Sequence, residues 1–359
     1  LYTLKQYGLS ERFTAEASLY PDLRIGRVVS QHKDLYRVVT EDAELLAEVS
    51  GKFRFEAKHL SDFPAVGDFV MIDRESPGQG NAVIRRLLSR KSLFERKAVG
   101  AQNETQVIAA NIDTVFICMS LNNNFNLRRL ERYLSIAWDS GANPVVILTK
   151  ADLCATIEQR LEEISTVAAG ADVVVTSCFD PFSYEKVHAY LGEGRTASFI
   201  GSSGVGKSTL INCLAGKEIL GTAETRGDDR GRHTTTSREL IVLPFGGAVI
   251  DTPGMRELGV ESADLGRAFS DIDELAARCR FKDCSHKSEP GCAVRAAVES
   301  GRLDAPRLEN FLKLKKEAKY DGLNSRQIET KKINDMFAGV GGIKNARKFA
   351  KEKNRQKSR

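Results

Sequence analysis

The sequence predicts a multidomain chain: an N-terminal β-barrel of OB type, a central doubly wound α/β domain, and a C-terminal helical module built around a metal. Three observations predict it. Five short β-type runs separated by turn signals occupy residues 23–90, the pattern of a small closed barrel. From about residue 105 to 262, apolar or β-branched runs alternate with amphipathic stretches, as in a mostly parallel sheet with crossover helices. Cys279, Cys284 and Cys292 then crowd into fourteen residues around His286. The expected divisions are 1–100, 101–262 and 263–359.

Each element follows from its local pattern. Residues 1–20 read as a helical lead-in. The barrel strands are expected at Arg24–Val29, Tyr36–Thr40, Glu44–Val49, Phe69–Ile72 and Ala82–Leu87, with a turn from Pro64 to Asp68 before the fourth. A basic run, Arg85, Arg86, Arg90, Lys91, Arg96 and Lys97, is interrupted only by Glu95; it is either a phosphate-contacting loop or a charged linker. In the α/β region the strand-like runs are Asp113–Met119, Val145–Leu148, Val173–Val175, Ala197–Ile200, Arg238–Leu243 and Ala248–Ile250. Leu127–Trp138 and Ile157–Ala168 are the amphipathic helices between them. Beyond 263 the chain reads as helices around the cysteine cluster, then a basic tail interrupted at Ala338–Gly342.

Composition bounds the function. At 359 residues, 42% hydrophobic and 28% charged, the chain has ordinary globular content, which excludes wholesale disorder. No apolar run approaches the roughly 18 residues that span a bilayer, and no basic-then-apolar signal segment opens the chain, so a cytoplasmic protein with no membrane partner is expected. Residues 305–359 hold 16 Lys and Arg against 6 Asp and Glu, a local excess of +10 in a chain of net +5. A basic tail on a mildly acidic body fits a polyanionic partner or a solvated helix surface. Cys118, Cys154, Cys178 and Cys213 read as buried, reduced thiols.

Gly201-Ser202-Ser203-Gly204-Val205-Gly206-Lys207-Ser208 fits the phosphate-loop pattern in full, after a strand and at the start of the helical run Ser208–Leu214. Glycines let backbone N–H groups turn toward a phosphate, and the helix N-terminus adds a favourable dipole. Lys207 brings a cation to the β/γ oxygens, Ser208 a hydroxyl for Mg²⁺, and Thr209 continues the loop. Downstream, a strand ends in Asp251-Thr-Pro-Gly254; its acid suits the Mg²⁺ water shell and the Gly254 N–H the γ-phosphate. Between them the polar segment 227–236 carries His233, Thr234 and Thr235. Either threonine is a candidate Mg²⁺ ligand. His233 is the candidate for positioning the attacking water, because Met255, next to Gly254, cannot polarise one.

Thr149-Lys150-Ala151-Asp152 lies at the end of another strand. A carboxylate accepts the paired N1–H and N2 donors of guanine, which adenine lacks. A second strand ends at Thr176-Ser177-Cys178, where loop N–H groups can meet the guanine carbonyl. These base-reading elements precede the phosphate elements, the reverse of the familiar order, so the GTPase is circularly permuted. Cys279, Cys284, His286 and Cys292 supply the Cys₃His set of closed structural zinc sites. In a chain of this composition such a cluster points to metal and not to disulfides.

With these motifs in this order, nearly the whole chain resembles the circularly permuted, ribosome small subunit-dependent GTPase A family (RsgA, also called YjeQ). The resemblance implies an OB-fold, GTP hydrolysis stimulated by the small (30S) ribosomal subunit, rRNA binding through barrel and zinc module, and a role in late 30S maturation. It implies GTP and GDP as ligands, one structural Zn²⁺, Mg²⁺ with the nucleotide, and a monomer off the ribosome. Thr149 departs from it, standing where the family more often has Asn. Two other readings remain open: an RNA-binding scaffold in which nucleotide only stabilises the fold, and an ATPase.

Overall fold

The computed structural model describes residues 2–97, 105–122, 124–220, 239–251 and 269–319. The segment carrying His233, Thr234 and Thr235, together with Gly254, Met255 and the basic tail beyond 319, lies outside the described residues.

A short helix α1 (Glu11–Ala17) leads into β1 (Arg24–His32), β2 (Leu35–Val39), β3 (Glu44–Val49), β4 (Phe69–Ile72) and β5 (Ala82–Leu87). The five pair in the order β1-β2-β3-β5-β4, and β4 returns to β1, so the sheet closes. Strict alternation in β3 shows why: Leu45, Ala47 and Val49 point inward while Glu44, Leu46 and Glu48 face solvent. Val28, Val38, Val70, Ile72 and Ile84 complete the barrel core. The lead-in helix plugs one end, where the Phe13 and Phe69 rings lie 4.3 Å apart. Helix α2 (Gly51–Glu56) follows β3, capped by Ser50, whose hydroxyl accepts from the Phe53 N–H at 3.1 Å.

Two cations of the basic run after the barrel, Arg90 and Lys91, are used inside the protein, and part of the run is a strand and not a loop. Leu93–Lys97 is a strand, β6, paired antiparallel with β7 (Thr105–Ala110). The concentration of charge hid its alternation. Arg90 forks onto the fully buried Asp68 at 2.9 and 2.7 Å and also donates to the Ser61 and Phe63 carbonyls. Lys91 pairs with Asp113. Neither cation is offered to a partner. Arg85 and Arg86 remain exposed on β5.

The central sheet contains β8 (Thr114–Ser120), β9 (Asn143–Thr149), β10 (Asp172–Val175), β11 (Thr196–Ile200), β12 (Glu239–Val242) and β13 (Ala248–Asp251). Their order is β10-β9-β8-β11-β13-β12, parallel except that β12 runs against β13. Every residue of β8 and β11 is buried, as parallel strands covered on both faces require. Helices α3 (Leu127–Asp139) and α4 (Ile157–Ser165) cover one face through Leu130, Leu134 and Ile164. On the other face, α5 (Glu185–His188) and α6 (Lys207–Ala215) seat Val187, Leu210, Ile211 and Leu214. On α6 the buried positions form one stripe that omits Cys213, which is exposed. Cys178, in the loop after β10, is exposed too; only Cys118 of the four predicted buried thiols is fully buried, and Cys154 is half-buried.

Barrel and central sheet are joined around Arg27. This guanidinium is fully buried and donates to the carbonyls of Tyr7, Gly67 and Asn111, while lying over the Phe69 ring. Burial, partly opposed by Asp113 and Asp68, lowers its pKa to about 10, so it stays cationic near neutrality. Gly67 adopts φ 93°, and a Cβ there would collide with the Ala110 carbonyl. At the rim β1 meets β12 at Ser30 and Glu239, and Arg37 reaches Glu239 at 2.9 Å.

The C-terminal part holds α7 (Ser270–Ala276), α8 (Ala293–Glu299) and α9 (Ala305–Lys319). Phe269, Ile272, Val294, Ala297, Leu308 and Phe311 form its small core, against which Cys279 and Cys284 pack.

Candidate functional site

Because β8, β9, β10, β11 and β13 are parallel, their C-terminal ends share one edge of the sheet, where ligands of doubly wound folds sit. In register, Ser120 lies beside Thr149, Leu148 beside Val175, Ile117 beside Ile200, and Ser198 beside Ile250. The loops following these strands are the sequence-predicted elements. Residues separated in the chain therefore converge at this edge.

The 201–206 segment turns sharply, with Gly201, Gly204 and Gly206 at φ 145°, 76° and 95°. Gly201 must be glycine for space as well, since a Cβ would strike the Cys118 carbonyl. Val205 is buried in the core, anchoring the loop, while Ser203 and Gly204 are exposed at its crest. Lys207 is buried to 7% exposure, and its Nζ donates to the carbonyls of Gly201 and Ser202 at 2.7 Å each. Ser208 and Thr209 are half-buried in the first turn of α6. Asp251, half-buried, ends β13 next to this loop's strand.

The second loop is bolted to the first. The Thr149 hydroxyl donates to the Val205 carbonyl at 2.5 Å, and Lys150 Nζ donates to the Gly204 carbonyl at 2.8 Å. Lys150 holds the left-handed φ of 58°, which aims its stem over the crest. A hydroxyl at 149 is thus long enough to tie the two loops. Asp152 is exposed, and its Oδ1 accepts from the Ser177 hydroxyl at 2.6 Å. The Ala151 N–H meets the Thr176 carbonyl at 3.2 Å, holding the third loop, with Ser177 and Cys178, against the second. An outward carboxylate, adjacent loop N–H groups and a glycine-rich cradle with its own ammonium can together bind a nucleoside triphosphate.

Sequence reasoning missed two contributors. Asn124 and Arg129, after β8, both donate to the Ser202 hydroxyl oxygen, at 3.1 and 3.0 Å. They belong to no local motif, and only the parallel β8–β11 pairing brings them to the loop.

The cysteine cluster is brought together as predicted. One donor atom each from Cys279, Cys284, His286 and Cys292 lies within 4.8 Å of the others. Cys279 and Cys292 sulfurs are 3.9 Å apart, and His286 Nδ1 is 3.7 and 3.5 Å from them. A tetrahedral zinc with bonds of about 2.3 Å to sulfur and about 2.0 Å to nitrogen sets such edges near 3.8 and 3.5 Å. The set fits that ion. Burial opposes the Cys279 thiolate, but the N–H groups of Val294 and Ala293 together with the Cys292 and Cys284 thiols hold it below its ordinary value. Burial raises Cys284 to about 11, and burial followed by Lys315 lowers His286. Glu289 was also missed. Its carboxylate accepts the N–H groups of Ser285, Lys287 and Ser288, and so shapes the tight turn in which His286 takes φ 59°.

A sequence profile described as RsgA GTPase matches residues 87–261. The "Small ribosomal subunit biogenesis GTPase RsgA 2" of Lactiplantibacillus plantarum is 49% identical over 342 residues, covering 95% of this chain and 96% of its own. Its namesake in Listeria monocytogenes is 46% identical, covering 89% and 90%. Among solved structures, YjeQ from Thermotoga maritima superposes with a TM-score of 0.60 at 28% identity, over 82% of this chain and 98% of that one. YloQ, titled a circularly permuted GTPase, gives 0.58 at 25% identity, over 83% and 95%.

Proposed function

The chain belongs to the RsgA GTPase family, and from that premise we propose that it is a GTP-driven assembly factor that binds the maturing small (30S) ribosomal subunit and leaves it after hydrolysis. It is a GTPase of circularly permuted fold. The observation that carries the reading of its site is the double tie from Thr149 and Lys150 to the carbonyls of Val205 and Gly204. It makes one pocket from a base-reading loop and a phosphate loop encoded in reversed order.

Within that pocket we assign the triphosphate to Gly201–Thr209, with Lys207 offsetting charge on the β- and γ-oxygens. The base falls to Thr149–Asp152, with Ser177 and Cys178 at its edge. Ser208 and Asp251, a hydroxyl and a carboxylate, are hard oxygen donors that suit Mg²⁺. That ion would supply further charge compensation on the phosphates. Thr234 or Thr235 would complete the donor set, Gly254 would meet the γ-phosphate, and His233 would orient water; His233→Ala is then expected to lower subunit-stimulated turnover while leaving nucleotide affinity intact. The Cys₃His set would hold one structural zinc, with every protein donor used and no position open for water.

Subunit contact through rRNA is assigned to the barrel, the C-terminal module and the basic tail. The factor would work as a cytoplasmic monomer between subunits. Among the described residues no helix is long and apolar enough to cross a membrane.

The test is co-sedimentation with purified 30S subunits in GTP, GDP and a non-hydrolysable analogue, with turnover measured in parallel. Stable binding with the analogue, release with GDP and accelerated hydrolysis on the subunit are expected. Equal binding in all three states with unchanged turnover would instead identify a scaffold. Lys207→Ala is expected to cut turnover about 100-fold, the scale of losing one preorganised donor to developing charge. Single-turnover kinetics on the 30S-bound protein measures it.

A further inference from the structure

Arg129 and Glu131 lie two positions apart on α3, so their side chains leave the helix about 200° apart. On one side, Arg129 Nη1 donates to Ser202 Oγ at 3.0 Å and to Asn124 Oδ1 at 2.7 Å, and Asn124 Nδ2 returns to the same Ser202 oxygen at 3.1 Å. Ser202 is therefore pinned twice: its side chain by this pair, and its carbonyl by Lys207 Nζ at 2.7 Å. Whatever moves Ser202 moves the seat of the lysine that meets the phosphates. Arg129's own backbone is fixed as well, since its N–H caps the helix on Asn126 at 3.0 Å.

On the other side, Glu131 is 2% exposed and accepts from both Arg307 and Asn310 of α9. Arg307 in turn forks onto Asp271 of α7 at 2.9 and 2.8 Å. Trp138, further along α3, packs against both the central core and the C-terminal core. A cleft of about 800 Å³ opens beside this junction, lined by Arg128, Glu131, Asp271, Asp304 and Arg307 among others. The module is thus seated on α3 by these polar locks and the Trp138 contact, at the edge of open space. A junction of that kind can shift as a unit when the module is pulled.

We propose that Arg129 is a positioning residue for the phosphate loop, and that α3 carries the seating of the C-terminal module to it through Glu131. This rests on the reading of Gly201–Ser208 as the nucleotide loop. Docking that tugs on the zinc module would turn or translate α3, loosening or tightening the Arg129–Ser202 contact. The nucleotide's hold would change with it.

The test measures dissociation of a fluorescent guanine nucleotide by stopped flow, and kcat and KM separately, for the full chain. The variants are Arg129→Ala, Ser202→Ala, the double variant and Glu131→Gln, each checked by thermal melting. Arg129→Ala is expected to speed release about tenfold and raise KM more than it lowers kcat, with Arg129→Lys restoring part of the loss. The double variant should be no worse than the more severe single one. Glu131→Gln should speed release in the wild-type background and not in the Arg129→Ala background; if it does not fold, Arg307→Lys replaces it. Additive effects of Arg129→Ala and Ser202→Ala would overturn the positioning role. A Glu131 variant that lowers the melting temperature but leaves release unchanged would overturn the transmission. If the wild-type chain itself binds no guanine nucleotide, the underlying site assignment fails instead.

Discussion

Cys292→Ser is expected to abolish stoichiometric zinc and unfold the C-terminal module while leaving the barrel and central sheet folded. The module's two helices flanking the cluster have seven residues each, too short to hold without tertiary support. Their core is a handful of side chains, and Cys292 itself belongs to it at 6% exposure. A closed zinc site contributes roughly 10–16 kcal/mol of apparent binding free energy to such a fold, more than this core can supply alone. Cys292 is also the cap of α8, its sulfur accepting from the Arg295 N–H at 3.4 Å; a serine hydroxyl can keep that cap, so the substitution isolates the loss of the metal ligand. Elemental analysis should fall from one zinc per chain toward none, and limited proteolysis should cut after about residue 268. Retention of one equivalent of zinc with an unchanged melting profile would rule out the Cys₃His centre.

The same junction explains why that loss would not stay local. Glu131 is buried against Arg307 and Asn310, so an unfolded module would take away both partners and open this face of α3, next to the phosphate loop's support, to water.

How much of this was legible in the sequence depends on where each contact comes from. The strands of the barrel and of the central sheet fall within a few residues of their expected bounds, because alternation in β3 and unbroken apolar runs in β8 and β11 are local signals. The Cys₃His cluster was legible for the same reason. The β6–β7 pair was not, since its short alternation is overlaid by charge, and the internal use of Arg90 depends on Asp68, more than twenty positions away. Arg129 and Asn124 were invisible because their target, Ser202, is over seventy positions distant. Cys213 was misplaced by composition: it lies off the stripe that α6 turns to the sheet. Periodicity reports faces and motifs report turns, but a hydrogen bond across parallel strands is written in neither.

Asp152→Asn is expected to lower affinity for GTP by about three orders of magnitude and to transfer preference to xanthosine triphosphate. The carboxylate at 152 is exposed at the end of β9, and its partner inside the protein is the Ser177 hydroxyl at 2.6 Å. That bond leaves acceptor capacity facing outward, where guanine would present N1–H and its 2-amino group. An asparagine keeps an oxygen for Ser177 but replaces the second acceptor with an N–H₂ donor, so donor would face donor. A site built on paired polar recognition rejects such a mismatch by about 10⁴–10⁵-fold at the extreme; the exposure of Asp152 argues for a smaller factor, about 10³. Xanthine carries a carbonyl where guanine carries the amino group, and that carbonyl can accept from the new amide. Adenine offers neither arrangement, so ATP should gain nothing. Stability should stay within about 0.5 kcal/mol, because the side chain is at the surface. Competition of GTP, xanthosine triphosphate and ATP against a fluorescent guanine nucleotide separates the cases. Were the variant to keep the wild-type order of preference, the base would be read elsewhere, and the pairing of the 149–152 loop with the phosphate loop would be a structural brace alone.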